Sequence, residues 1–257
     1  MKEKLKIQGG RGMLNAVLRV PQLEEGQKCP LVVLMHGFMA NLKLDPLKTV
    51  GALLEEAGIA SLAFDFNGHG KSDGKFCDMN VFSELDDAMM VYDFVRQQDF
   101  VSKIAFCGHS QGGVVAGMVA AMLGNDEAGK PKVECIVQLA PAAVLHDDAM
   151  NGCIMGKKFD PKNPPEHVWM FFHKLGRTYI ECAQKIDIYG VSKDYEGQVC
   201  LIHGTDDTIV PYEYGVRYNE AYAHSELHTM EGDNHFLSKH KKEVFSIAVN
   251  FLREYLA

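Results

Sequence analysis

Lys103-Ile104-Ala105-Phe106-Cys107-Gly108-His109-Ser110-Gln111-Gly112-Gly113 is the stretch on which the fold turns. Its first half is an apolar run and reads as a buried parallel strand. The next nine residues, Val114-Val115-Ala116-Gly117-Met118-Val119-Ala120-Ala121-Met122, read as a helix packed hard on a sheet. Between them lies G-x-S-x-G. Glycine occupies 24 of 257 positions, so the pattern alone is weak, and only the strand–turn–helix context gives it meaning. In that context the turn is tight, which is why glycines stand two before and two after the serine. The serine hydroxyl is held above the sheet. Beneath it, the next helix offers free N–H groups and a positive dipole end to a developing oxyanion.

The whole chain sets bounds around this turn. At 257 residues it suffices for one large α/β domain or two small ones. Its 47% apolar and 23% charged residues are ordinary for a globular protein. A net charge of −8 argues against nucleic acid or an anionic membrane as the main partner. No apolar run reaches the length of a membrane span, and no apolar stretch comes after the charged start Met1–Ile7 as a signal peptide would require. The seven cysteines are odd in number and include no C-x-x-C. They read as small buried hydrophobes in a reducing compartment, and a cytoplasmic protein is expected.

Strand and helix patterns alternate through most of the chain. Residues 3–8 and 14–20 alternate apolar with polar around Gly9-Gly10-Arg11-Gly12, which predicts an antiparallel hairpin with one buried face. Mostly apolar strands are predicted over 30–35, 61–66, 103–107, 135–140 and 199–203, and a last strand over 226–230. Helices are predicted over 45–57, 80–97, 213–222 and 239–255. This predicts a mostly parallel eight-stranded sheet with helices on both faces. Right-handed crossovers then bring the loops after the strands to one edge, where His36-Gly37-Phe38, Ser110, Asp206-Asp207 and Asn234-His235 all fall. One connection is too long. A crossover uses about a dozen residues, yet roughly 55 separate Ala140 from Gln198, which marks an inserted lid over 144–194. The insert is rich in Met and aromatics, and at least one of Trp169, Phe171, Phe172 and Tyr179 is expected to face a pocket beneath it.

Acyl transfer at a serine needs a base, an acid that orients the base, and oxyanion donors. The order Ser110, then Asp206 or Asp207, then His235 supplies nucleophile, acid and base in the arrangement of a strand–turn–helix hydrolase. Adjacent side chains point differently, so only one of the two aspartates faces His235. The donors are the backbone N–H groups of Gln111 and Phe38. His36 and His109 flank tight turns and are expected to bond neighbouring backbone; Asp65 and Asp73 are expected to hold Asx turns. The histidines are scattered, without H-E-x-x-H or H-x-x-E-H spacing, so neither a metal nor a cofactor is expected.

Taken together, His36-Gly37-Phe38, Asp65 through Gly74, Gly108 through Gly113, Leu139-Ala140-Pro141-Ala142-Ala143, His203 through Asp207 with Val210-Pro211, and Gly232 through His235 resemble the α/β-hydrolase superfamily over the whole chain. The G-H-S-Q-G-G and A-P-A-A stretches and the lid are most similar to bacterial cinnamoyl (feruloyl) esterases. That resemblance implies Asp207, the last residue of G-x-x-D before V-P, as the acid. It implies a single domain, 1–257, with the 144–194 lid covering an acyl pocket. Asp148 and Tyr179 would bind ring hydroxyls there. Where some relatives carry a helpful glutamine, this chain has Met155. The expected activity is hydrolysis of hydroxycinnamate esters through an acyl-enzyme, and the expected partner is a small aromatic ester, with a homodimer as the possible assembly. The alternative is a monoacylglycerol lipase or general acyl esterase, with an alkyl chain in the Met-rich pocket. A hydrolase fold serving only as a receptor would normally have lost one of the three residues.

Overall fold

The computed structural model describes residues 1–257. The alternating start of the chain forms β1 (Lys2–Gly9) and β2 (Gly12–Arg19), paired antiparallel. The apolar runs then wind strand and helix in turn. β3 (Cys29–Met35) leads to α1 (Leu47–Glu56), and β4 (Ala60–Phe64) leads to α2 (Val81–Val95). β5 (Val101–His109) feeds α3 (Gln111–Leu123), with Ser110 alone between them, and β6 (Cys135–Leu139) comes next.

The long connection after β6 carries its own elements. They are α4 (Val144–Asn151), the paired short strands β7 (Cys153–Ile154) and β8 (Lys157–Lys158), the hairpin β9 (His167–Met170) and β10 (His173–Gly176), α5 (Arg177–Ala183) and α6 (Ile188–Ser192). The main sheet resumes with β11 (Gln198–Gly204), α7 (Glu213–Ala221), β12 (Ser225–Met230) and α8 (Lys241–Leu256). The eight strands lie in the order β1-β2-β4-β3-β5-β6-β11-β12, parallel from β4 onward. β2 meets β4 antiparallel. The fold is the α/β hydrolase.

Each face of the sheet has its own core. α1 and α8 cover Val32, Leu34, Cys107, Val137 and Ile202. α2, α3 and the insert cover Val33, Met35, Phe64, Phe106 and Ile136. Helix α3 is buried at every position from Gln111 to Ala120, because it runs between the sheet, α2 and α6. This explains an apolar run with no polar face, a pattern that fits only a helix covered all round. The strand before Asp65 ends at Phe64, two residues earlier than its apolar pattern suggests. Asp65 has turned to hold loops: its carboxylate accepts the N–H groups of Leu42 (2.8 Å) and Lys71 (2.9 Å).

Two glycines let the elbow form. A Cβ on Gly108 would run into the carbonyl of Gly112, and one on Gly112 into the carbonyls of Met35 and His36. Backbone cannot yield as a side-chain tip can. Gly112→Ala should therefore lower the unfolding free energy by about 1–3 kcal/mol or more, the range for overpacking a close-packed site. Urea denaturation followed by circular dichroism checks this, and a change within about 0.5 kcal/mol would mean that the approach of β3 to the elbow is not tight.

Candidate active site

Ser110 sits between β5 and α3 at φ 57° and ψ −126°, a left-handed conformation costly for a side chain. The surroundings enforce it. The Ser110 N–H donates to the Leu139 carbonyl at 2.9 Å, and the Ser110 carbonyl accepts from Gly113 and Ala142. The hydroxyl is thereby aimed at the loop after β12. There His235 Nε2 lies 2.9 Å from Ser110 Oγ, and His235 Nδ1 lies 2.7 Å from Asp207 Oδ2. All three residues are buried. The ionised carboxylate can only accept, so the proton belongs on Nδ1, and Nε2 is left to accept from the serine hydroxyl.

Of the two candidate aspartates, Asp207 is buried against His235, whereas Asp206 is exposed. Burial alone would raise the Asp207 pKa. Hydrogen bonds from His203 and His235, with the Val210 N–H, outweigh it and hold the carboxyl well below the usual range. His203 donates through Nε2 to the Val210 carbonyl (2.9 Å) and lies 3.3 Å from Asp207 Oδ2. The His235 loop has a second organiser. Asp233, fully buried, accepts the N–H groups of Asn234 (2.9 Å), Lys239 (3.0 Å) and His240 (2.9 Å). Neither residue carried a motif signal beyond lying in the same loops as Asp207 and His235.

His36 bonds its neighbouring backbone, as its position suggests, whereas His109 reaches the distant backbone of His235. His36 Nδ1–H donates to the Gly37 carbonyl (2.8 Å), and its Nε2 accepts from the Phe66 N–H (3.1 Å). His109 Nε2–H donates to the His235 carbonyl at 2.9 Å. Burial pushes these imidazoles down, to about 4 for His36 and about 3 for His109, so both are neutral. His36 thus fixes the Gly37–Phe38 turn, whose backbone passes directly against Ser110: a Cβ on Gly37 would stand 2.8 Å from Ser110 Cβ. The Phe38 N–H and the first N–H of α3, that of Gln111, are both next to the serine and outside the fold's own hydrogen bonds.

A cleft opens over Ser110 and His235. Its walls are mostly apolar, from Leu44, Leu145, Ile154, Met155 and Ile209, with Asp148 and Tyr179 also exposed to it. Val144 through Tyr179 come from the insert, which therefore forms one wall. Burial raises the Asp148 carboxyl, and the nearby Asp147 adds to this. Tyr179 leans its ring on Phe38, with centroids 5.3 Å apart. The other insert aromatics do not face the cleft. Trp169, Phe171 and Phe172 ride on the β9–β10 hairpin and are 60%, 73% and 95% exposed. A composition-based count of aromatics cannot tell a pocket wall from a hairpin tip.

One site residue is absent from the sequence reading altogether. Glu84, on α2, is 2% exposed, and its Oε2 accepts from Gln111 Nε2 at 2.6 Å. A helical wheel does give a signal, since Glu84 stands on the buried stripe with Val81, Leu85 and Ala88.

A model of the hydrolase family described as "Serine aminopeptidase, S33" matches residues 26–196, two thirds of the chain. The chain belongs to this family. The match contains Ser110 and ends before Asp207 and His235. Among solved structures, Est1E from Butyrivibrio proteoclasticus with ferulic acid bound is 34% identical, with a TM-score of 0.89 and 98% of each chain covered. A second structure of Est1E superposes with a TM-score of 0.86 at 31% identity. Human protein ABHD12B is 26% identical over 191 residues, covering 74% of this chain and 49% of that one. The lysophosphatidylserine lipase ABHD12 of Danio rerio is 23% identical over 197 residues, 76% of this chain and 48% of that one. The chain thus spans about half the length of these curated relatives. No helix is long and apolar enough to cross a membrane.

The site geometry sets the outcome of two substitutions. Asp207→Asn should lower kcat/KM by about 10²–10⁴-fold, because an amide cannot hold the required imidazole tautomer, while Asp206→Asn should stay within about threefold. Equal losses in steady-state assays would mean that the 2.7 Å contact does not set the tautomer. The second concerns Glu84, whose pKa burial raises from 4.5 to about 8, with Asp87 adding to it. Above 4.5 the unfolded chain sheds this proton and the folded chain keeps it. Stability is therefore full below that pH and falls as pH rises through 8. Glu84→Gln removes the linkage, so its stability relative to wild type should improve by on the order of 3 kcal/mol between about pH 5 and pH 8. Denaturation curves at both pH values test it; a pH-independent difference would contradict a buried, protonated Glu84.

Proposed function

We propose that the protein is a serine carboxylesterase that hydrolyses esters of hydroxycinnamic acids. In this reading Ser110 Oγ attacks the ester carbonyl carbon and its proton passes to His235 Nε2. The carbonyl oxygen becomes an oxyanion held by the N–H groups of Phe38 and Gln111. His235 then gives the proton to the leaving alcohol as the C–O bond breaks, leaving the acyl group on Ser110. Water enters, loses a proton to His235, attacks the acyl carbon, and expels Ser110 with the proton returned. Asp207 stays ionised throughout and fixes the imidazole tautomer. Its depressed pKa suits that role.

The observation that carries the substrate class is the mostly apolar cleft over Ser110, to which the insert brings Asp148 and Tyr179. A flat apolar ring with a polar para position matches it. The likeness to Est1E, solved with ferulic acid bound, supports the same reading. The 144–194 insert acts as the lid in this account, since it supplies both polar groups. A second reading, hydrolysis of alkyl esters, draws support from Met155 in the cleft and from the lipase named among the relatives. Met packs an alkyl chain as readily as a ring.

Ser110→Ala should leave the fold intact and lower turnover by about four orders of magnitude. With wild type, methyl ferulate and methyl p-coumarate should exceed alkyl esters of similar size by roughly 10–100-fold in kcat/KM. A kinetic panel tests both points. Near-normal turnover in folded Ser110→Ala would overturn the serine mechanism. Octanoate or longer esters preferred by about tenfold would replace the cinnamoyl reading with the lipase-like one.

A further inference from the structure

Three buried side chains form a continuous hydrogen-bonded line from α2 to the pocket. Glu84 Oε2 accepts from Gln111 Nε2 at 2.6 Å, and Gln111 Oε1 accepts from the Tyr179 hydroxyl at 2.6 Å. The exposures are 2% for Glu84, 1% for Gln111 and 3% for Tyr179. The line crosses three units: the helix under the sheet edge, the elbow, and the insert. It lies outside the Ser110–His235–Asp207 contacts, and the acyl-transfer steps make no use of it.

Its direction matters. A primary amide has a nitrogen that only donates and an oxygen that only accepts. With the nitrogen turned to Glu84, the oxygen of Gln111 faces Tyr179, so the phenolic proton must be spent inward. Tyr179 then turns only lone pairs to the cleft. Glu84 Oε1 lies 4.0 Å from His69 Nδ1, beyond hydrogen-bond reach, so the direction of the line rests on Oε2 accepting from Gln111 Nε2. Across the cleft wall Asp148 also offers carboxylate oxygens, near enough to bear on Tyr179. The two polar groups that the insert brings to the cleft thus both present acceptors, and Asp45 lines it as well.

We propose that Glu84 is a specificity-determining positioning residue: by fixing the Gln111 amide it makes Tyr179 an acceptor, so the pocket selects rings that carry a free hydroxyl over the same rings capped as methyl ethers. This rests on the aromatic-ester reading and adds to it the polarity of the recognised group. A phenol has one proton and pairs one of the two acceptors, Asp148 or Tyr179. A methyl ether offers no proton and leaves both unpaired, which is the costly outcome for a desolvated polar group.

The experiment compares methyl 4-hydroxycinnamate with methyl 4-methoxycinnamate on each enzyme preparation, so that the ratio of kcat/KM is independent of how much protein is active. Wild type should favour the hydroxyl compound by about 10–100-fold. Glu84→Leu removes the acceptor, frees the amide to turn, and should bring the ratio below about threefold. Glu84→Gln can present its own amide oxygen to Gln111 Nε2 and should keep the ratio within about threefold of wild type. Should Glu84→Leu fail to fold, Gln111→Met breaks the line at the next link and should collapse the ratio in the same way. Adding Glu84→Leu to Tyr179→Phe should change the ratio no further, as expected for residues acting in one chain. An unchanged ratio in Glu84→Leu or Gln111→Met, or a wild-type ratio near one with both cinnamates turned over, overturns the relay and leaves the esterase reading standing. A wild type that hydrolyses alkyl esters and neither cinnamate overturns both.

Discussion

Everything at the site depends on the close approach of backbone at the elbow. β5 can end in Ser110 at positive φ only because Gly108 and Gly112 let the turn fold back against itself and against β3. That strain places the serine hydroxyl above the sheet and the first N–H groups of α3 beneath it. The same compactness lets Gly37 pass against Ser110, so a second N–H, that of Phe38, arrives from β3 without any further device. The hydrogen bond Ser110 donates to Leu139 and those it accepts from Gly113 and Ala142 then offset a conformation that would cost on the order of 1–3 kcal/mol in isolation.

Two buried carboxylic acids near this turn behave in opposite ways, and the number of donors facing each explains it. Asp207 receives Ile209 and Val210 N–H groups at 2.9 and 2.8 Å on one oxygen and the His235 imidazole on the other, with His203 Nε2 3.3 Å from that oxygen. It remains a carboxylate. Glu84 receives one amide N–H and faces an imidazole that burial keeps neutral, with its pKa pushed down to about 3. Desolvation wins there, and the acid is neutral at ordinary pH. Asp207 holds the His235 imidazole through its charge; Glu84 holds the Gln111 amide through one accepting oxygen.

Much of this was legible in the residues. The eight strands come from apolar runs and one alternating hairpin, and the edge they share comes from the handedness of crossovers. Ser110, His235 and the Gly37–Phe38 turn could be placed because each stands just past a strand end. Asp206 and Asp207 could not be separated by spacing, since both follow the same strand; the family resemblance implied Asp207, which is the one buried against His235. Glu84 and His203 were hidden for another reason. Their partners lie 27 and four residues away through loops whose paths no local pattern records. The insert was readable as an excess of length, but its aromatics were not readable as wall or tip. Tyr179 faces Phe38 because α5 packs back on the elbow, while Phe171 and Phe172 sit at a hairpin turn with nothing above them.

Ser110 as the nucleophile at the base of an aromatic acyl pocket is the central claim, and covalent labelling tests it most directly. A fluorophosphonate probe transfers its phosphonyl group to an activated serine oxygen with loss of fluoride. Peptide mapping by mass spectrometry should find one phosphonyl group per chain, on Ser110, with esterase activity lost in proportion and labelling slowed by methyl ferulate. A fully labelled chain that keeps its activity, or a label carried by another residue, would contradict the account.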